Sequence, residues 1–120
     1  MARILVIDDE EDMRSLLQKF LEDNGHEVIV AENGQIGLEC YQQKPCDLIL
    51  TDIIMPEKEG LETIREFRER FPEAKIIAIS GGDFLGHSYL EQACLLGASQ
   101  VLSKPLDMDT LLQKIEKMLK

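Results

Sequence analysis

Basic residues are scarce in this chain: 13 Lys and Arg stand against 23 Asp and Glu, a formal net charge of −10 over 120 residues. Sequence-independent binding to nucleic acid needs phosphates neutralised by Lys and Arg, so this balance argues against direct nucleic-acid binding. No apolar run approaches the roughly 20 residues of a membrane-spanning helix. Met1-Ala2-Arg3 leads directly into an apolar stretch rather than a signal peptide. The expected setting is cytoplasmic, without membrane contact. Cysteine is sparse too. Cys40, Cys46 and Cys94 form an odd set with no CxxC spacing and no nearby His to complete a zinc site. They read as small buried hydrophobes. Neither His26 nor His87 has a triad or ligand cluster around it in sequence. Linkers, low-complexity segments and internal repeats are all missing, so one domain over residues 1–120 is expected.

What is present is a regular alternation. Arg3–Ile7 is an apolar strand, and Asp8, Asp9, Glu10, Glu11 and Asp12 follow at once. Met13, Leu16, Leu17, Phe20 and Leu21 then recur at helical spacing, with acids in the first turn to suit the helix dipole and Gly25 as a stop. Glu27–Ala31 reads as a second strand. A helix over 33–44 follows, with Leu38 and Tyr41 inward and two glycines, Gly34 and Gly37, weakening its start. Leu48–Leu50 is a strand buried on both faces, delivering Asp52 to its carboxyl end before a turn marked by Pro56 and Gly60. Leu61, Ile64, Phe67 and Phe71 form a third helical stripe, ended by Pro72. Lys75–Ile79 is a fourth strand, delivering Ser80 and a glycine-rich loop. A short helix over 89–96 and a fifth strand, Gln100–Ser103, deliver Lys104-Pro105. The last helix, capped by Asp107, carries Met108, Leu111, Leu112, Ile115, Met118 and Leu119 on one face. Five strands alternating with five helices imply right-handed crossovers and a parallel sheet covered on both faces.

In such a sheet, ligands bind outside the carboxyl ends of the strands. Here those ends carry Asp8 and Asp9, Asp52, Ser80 and Lys104. Each alone has a plain reading, as a helix-starting acid, a turn hydroxyl or a surface lysine. Together they combine a carboxylate nucleophile, acids that call for a hard divalent cation, a hydroxyl donor and a lysine. These are the components of phosphoryl transfer to an aspartate.

The motifs ILVIDDE, TDIIMPEKEG, IIAIS and LGASQVLSKPL, spread over essentially the whole chain, resemble those of receiver domains of two-component response regulators. The resemblance implies a flavodoxin-like (βα)5 fold with strand order 2-1-3-4-5. It implies a phosphorylation-activated switch rather than an enzyme, with Asp52 accepting the phosphoryl group from a histidine kinase or phosphotransfer protein. Asp9 and Asp52 would hold Mg²⁺ directly with the backbone carbonyl of Ile54, and Asp8 mainly through water. Lys104 would pair with the phosphoryl group, Ser80 would swing in to hydrogen-bond it, and the Lys104–Pro105 bond would be cis. The state would be relayed through the face made by the fourth helix, fifth strand and fifth helix to a downstream effector, with homodimerisation on phosphorylation as a further family trait.

Three departures from the family pattern stand out. Val101 occupies a position where the family often has Tyr or Phe. The segment between Ser80 and Gly97 is longer than in the chemotaxis receiver. Ile54 and Gly82 fall where the family tunes the lifetime of the phosphoryl group, and an apolar Ile54 implies slow self-dephosphorylation. Three rivals are weaker. A haloacid-dehalogenase-type hydrolase would carry DxD after the first strand. A flavin-binding module would carry a Ser/Thr/Gly-rich loop where this chain reads DDEED. A degenerate receiver serving only as an interaction surface would not need Asp8, Asp9, Asp52, Ser80 and Lys104 together.

Overall fold

Successive side chains of a strand point to opposite faces, and the central strands of this protein are apolar on both. The computed structural model describes residues 2–52, 59–80, 97–103 and 107–119, without the side chains of 59–61, 80 and 103. Its strands are β1 (Arg3–Ile7), β2 (Glu27–Ala31), β3 (Leu48–Asp52), β4 (Ile76–Ser80) and β5 (Gln100–Ser103). They form one sheet in the order β2-β1-β3-β4-β5, every neighbouring pair parallel. This is the flavodoxin-like order expected. The described helices are α1 (Glu11–Asp23), α2 (Gly34–Gln43), α3 (Glu59–Arg70) and α4 (Met108–Leu119). The helix expected over 89–96 lies outside the described residues.

The alternation sorts the core into two layers. Leu5, Ile7, Ile49, Ile76 and Ala78 face α2 and α3, where they meet Leu38, Tyr41, Ile64 and Phe67. Ile4, Val6, Leu48, Leu50 and Ile77 face α1 and α4, where they meet Leu17, Leu21, Leu111 and Ile115. Every residue of β3 is buried, as the unbroken apolar run requires of a central strand. Tyr41, Phe67 and Phe71 pack as an aromatic cluster, with Tyr41 edge-on to Phe67 at a 5.5 Å centroid separation.

Helix boundaries follow local chemistry. Asn33 caps α2 by accepting a hydrogen bond from the Ile36 N–H at 2.8 Å. Asp107 caps α4, accepting from the Asp109 N–H at 3.1 Å and the Thr110 hydroxyl at 2.9 Å. Gly25, just past α1, takes φ 90°, a conformation that favours glycine. The two glycines of α2 turn out to be contacts rather than weak points. A Cβ at Gly37 would stand 2.5 Å from Ile7 Cδ1, and one at Gly34 would collide with Thr63 Oγ1. Glycine is what lets α2 lie this close to β1 and α3. Strand β4 starts one residue later than expected, at Ile76. Lys75 still feeds the ladder, its carbonyl accepting from the Ile49 N–H at 2.8 Å.

The amino ends of the strands are tied by paired charges. Arg3 donates to the Glu27 carboxylate at 3.2 Å and to the Pro45 carbonyl at 3.0 Å, while its backbone N–H donates to Asp47 at 2.8 Å. Lys75 reaches across to the Met118 carbonyl at 2.7 Å, at the end of α4. Cys46 is buried here and Cys40 half-buried, both free, as small apolar side chains would be. Burial pushes the Cys46 thiol up from 9.0 to about 11. Cys94 lies outside the described residues.

Candidate functional site

The opposite pole is built by register. Ile7 of β1 lies beside Thr51 of β3, so the next residues along the two chains, Asp8 and Asp52, come side by side. Asp8 prolongs β1 by one residue, its N–H donating to the Ala31 carbonyl of β2 at 3.1 Å. Neighbouring strands lie about 4.8 Å apart, and both carboxylates fall on the same side of the sheet. Asp8 and Asp52 are 3% and 4% exposed, which is rare for carboxylates and marks a site rather than a surface.

A third carboxylate joins them. Oxygens of Asp8, Glu10 and Asp52 all lie within 4.8 Å of one another. Glu10 is exposed, and its position follows from the backbone. Its N–H donates to Asp8 Oδ1 at 2.9 Å, and its carbonyl accepts from the Arg14 N–H at 3.1 Å as α1 begins. Arg14 also donates through Nη1 to the Asp8 carbonyl at 2.7 Å, so the first turn of α1 is fastened over the end of β1. Two unit charges near 4.8 Å repel by about 3.5 kcal/mol at an effective dielectric of 20. Among the described residues the donor set is carboxylate oxygen, which suits a hard divalent cation.

Of the residues singled out in the sequence, the structure thus brings Asp8 and Asp52 together. Asp9 is exposed, and the group assembled by the fold contains Glu10 instead. Ser80 is the last residue of β4, one step beyond Ile79, the register partner of Asp52, and it pairs in turn with Ser103 of β5. Its backbone is therefore at the same sheet edge. Ile54 and Lys104, with the Lys104–Pro105 bond and the loop after Ser80, lie outside the described residues. Glu10 is the residue that sequence reading missed. It was counted among first-turn acids, whereas it occupies the N-cap position, where Ser, Thr, Asp or Asn is preferred.

A family model for the response regulator receiver domain matches residues 4–116. The chain is 40% identical over 119 residues to the response regulator receiver protein CpdR of Brucella abortus, covering 99% of this chain and 98% of that protein. It is 36% identical over 119 residues to the chemotaxis protein CheY of Bacillus subtilis, covering 98% and 97% respectively. Among solved structures, the response regulator protein TrrA of Thermotoga maritima, in complex with Mg(2+)-BeF, is similar with a TM-score of 0.87 at 34% identity. That match covers 99% of this chain and 100% of the other. No helix among the described residues is long and apolar enough to cross a membrane. A parallel sheet of order 2-1-3-4-5, carboxylates gathered at its carboxyl edge and a match over nearly every residue place this chain in the receiver-domain family of two-component response regulators.

Proposed function

We propose that residues 1–120 act as one phosphorylation-activated switch in the cytoplasm, with Asp52 as the phosphoacceptor. The observation that carries this is the position of Asp52, buried at the carboxyl end of a central strand and within 4.8 Å of two further carboxylates. The donor is the phosphohistidine of a sensor histidine kinase or phosphotransfer protein. An Asp52 carboxylate oxygen attacks phosphorus, the P–O bond forms, and the P–N bond breaks with its electron pair passing to the imidazole nitrogen. The gathered carboxylates of Asp8, Glu10 and Asp52 support a Mg²⁺ site; by the family resemblance Asp9, Asp52 and the Ile54 carbonyl would hold the ion, with Asp8 through water, and when bound it would supply positive charge to the phosphoryl oxygens. Lys104 pairs with the phosphoryl group, and Ser80 donates a hydrogen bond to it.

The site performs self-phosphotransfer and slow autodephosphorylation, and it turns over no external substrate. Its output is conformational. Phosphorylation adds about −1.5 to −2 charges beside the carboxylates, which favours a second arrangement of the face made by the helix expected over 89–96, β5 and α4. That face meets a downstream effector domain or protein, or a second copy of the chain. A shift from 1:99 to 99:1 requires about 5.5 kcal/mol of differential stabilisation.

The test is intact mass after incubation with acetyl phosphate, with and without Mg²⁺, on wild type and Asp52→Asn. One phosphoryl group gained only with Mg²⁺ and only by wild type is the expected result. No gain under any condition would refute the switch and leave a receiver that serves solely as an interaction surface.

A further inference from the structure

The pole opposite the carboxylate cluster holds a feature that the proposed function does not use. Tyr41 is 8% exposed, and its ring packs against Phe67 and Phe71. Its hydroxyl makes no hydrogen bond to any described residue, although a buried tyrosine hydroxyl usually finds a partner. Two cavities meet at this side chain. One, of about 490 Å³, is lined by Tyr41 with His26, Asp47, Glu73 and Lys75. The other, of about 300 Å³, is lined by Tyr41 and Glu73 again, with Pro45, Phe71 and Pro72. Sites for small molecules are of this size. Burial raises the Tyr41 phenol above its ordinary 10.0; Cys46, Glu73 and Asp47 raise it further, and Arg68 acts in the opposite direction. The hydroxyl is therefore a neutral group on the side of the two acids.

The charges around this hydroxyl differ in what they have left to offer. The cations are engaged: Lys75 donates to the Met118 carbonyl at 2.7 Å and Arg70 to Gln42 at 2.8 Å. Arg68 is spent on the carbonyls of Gly97 and Pro72. The acids keep free acceptors. Glu73 is exposed and makes no ion pair or hydrogen bond among the described residues. Asp47 accepts the Arg3 N–H at 2.8 Å through Oδ2, which leaves Oδ1 without a partner among them. Tyr41 Oη, the Glu73 carboxylate and Asp47 Oδ1 thus line one cavity, a match for the three N–H donors of an alkylammonium group. The adjoining cavity adds apolar walls from Pro45, Phe71 and Pro72. We propose that the two cavities form a binding site for a small primary amine, its ammonium group held by Tyr41, Asp47 and Glu73 and its apolar body by Pro45, Phe71 and Pro72. A ligand that presents a carboxylate or phosphate there meets two uncompensated acids and is excluded.

The experiment is a ¹⁵N NMR titration of the full chain with phenethylamine, in Mg²⁺-containing buffer at constant ionic strength. Three other probes accompany it. 2-Phenylethanol has the same body without the charge, 3-phenylpropionate carries a carboxylate, and Nα-acetyl-lysine methylamide presents the ammonium as a peptide side chain would. Phenethylamine is expected to shift the backbone N–H signals of Tyr41, Asp47 and Glu73. The alcohol should bind about tenfold more weakly, having lost its charged hydrogen bonds; the carboxylate should not bind, and the lysine derivative should bind more weakly than phenethylamine. Glu73→Gln should weaken the amine about threefold to fivefold, and Tyr41→Phe about tenfold. Glu62→Gln, an exposed acid of α3 outside both cavities, should change it less than about twofold. Without ligand, Tyr41→Phe should be at least as stable as wild type in urea, because the hydroxyl it removes has no partner in the fold.

Equal affinity for the amine and the alcohol would overturn the inference, since the charge would then play no part. So would signals that move at Asp8, Glu10 and Asp52 instead, no localised shifts at the solubility limit of the amine, or unchanged affinity in both Glu73→Gln and Tyr41→Phe. A Tyr41→Phe protein less stable than wild type would show that the hydroxyl already has a partner, against the premise. Tighter binding of the lysine derivative would refute a free amine as the ligand and assign the site to a protein side chain.

Discussion

Gly34 is the position where helix propensity and packing make opposite demands, which makes it a sharp test of how α2 meets α3. On propensity alone, Gly→Ala inside a helix gains up to about 1 kcal/mol, and less at its first residue. The packing is unfavourable. A Cβ at Gly34 would overlap Thr63 Oγ1 and lie 3.0 Å and 3.1 Å from Thr63 Cβ and Cγ2. Thr63 is 4% exposed on α3 and stiff at χ1, and no turn of χ1 moves its Cβ away from the added methyl. The helices must separate, and overpacking of this kind costs about 1–3 kcal/mol. Gly34→Ala is therefore expected to lose about 1–2 kcal/mol net, a fall in Tm of about 4–8 °C for a domain this size. Urea unfolding followed by far-ultraviolet circular dichroism measures it, provided the m-value is unchanged. Thr63→Ala removes the two offending atoms, so the double variant should recover about 1 kcal/mol relative to the sum of the single losses. A Gly34→Ala protein as stable as wild type, or strictly additive losses, would refute the close approach.

Three further outcomes rest on other contacts. Arg68 donates from Nε and Nη2 to the Gly97 carbonyl at 3.2 Å and 2.7 Å, and from Nη1 to the Pro72 carbonyl. A lysine cannot reproduce that fork, so Arg68→Lys should lose about 1–2 kcal/mol in the same urea assay, and wild-type stability would contradict the role given to the guanidinium. Asp107→Ala should lose about 1 kcal/mol through its cap, and Asp107→Asn markedly less, by thermal melting; equal losses would show that the cap's acceptor oxygen is not the cause. The raised Cys46 thiol predicts a pH effect of definite sign. The unfolded chain releases this proton near 9.0 and the folded one near 11, so stability falls as pH rises through that window. Comparing urea midpoints of wild type and Cys46→Ala between about pH 8 and 10.5 isolates it from the Tyr41 phenol, which burial shifts in the same direction; identical slopes would count against it.

Much of this architecture could be read from residue order because it depends on local rules. Leu48–Leu50, apolar without alternation, had to be a central strand, and Asn33, Gly25 and Asp107 each carry a recognisable terminus signal. The site was legible only in part, for a physical reason. Parallel strands are paired by crossovers, and nothing near Asp8 or Asp52 in sequence states that Ile7 will sit beside Thr51. The alternation of strands and helices put both acids at one edge of the sheet, but only the family's strand order made β1 and β3 neighbours. Glu10 escaped because an acid in DDEED suits the helix dipole wherever it falls, and only the cap geometry distinguishes it from its neighbours. The packing role of Gly34 and Gly37 was hidden for a similar reason, since propensity sees the helix alone and not the Thr63 and Ile7 side chains against it.

Under the proposed function, a signal at Asp52 has to leave the site through the elements packed beside it. Val101 lies on β5 in register with Ala78, half-buried against the layer that contains Phe67 and Phe71. A β-branched side chain is stiff at χ1 and carries no ring to sweep between two positions, so an aromatic rotamer exchange is not open to this chain at that residue. The amino end of β5 is firmly attached. Arg68 grips Gly97, the Ser99 N–H donates to the Ile76 carbonyl at 2.8 Å, the Ile76 N–H donates to Ser99 Oγ at 3.3 Å, and Lys114 of α4 reaches Gln100 at 3.4 Å. Under the proposed function, then, a signal passing through position 101 has no aromatic ring to carry it.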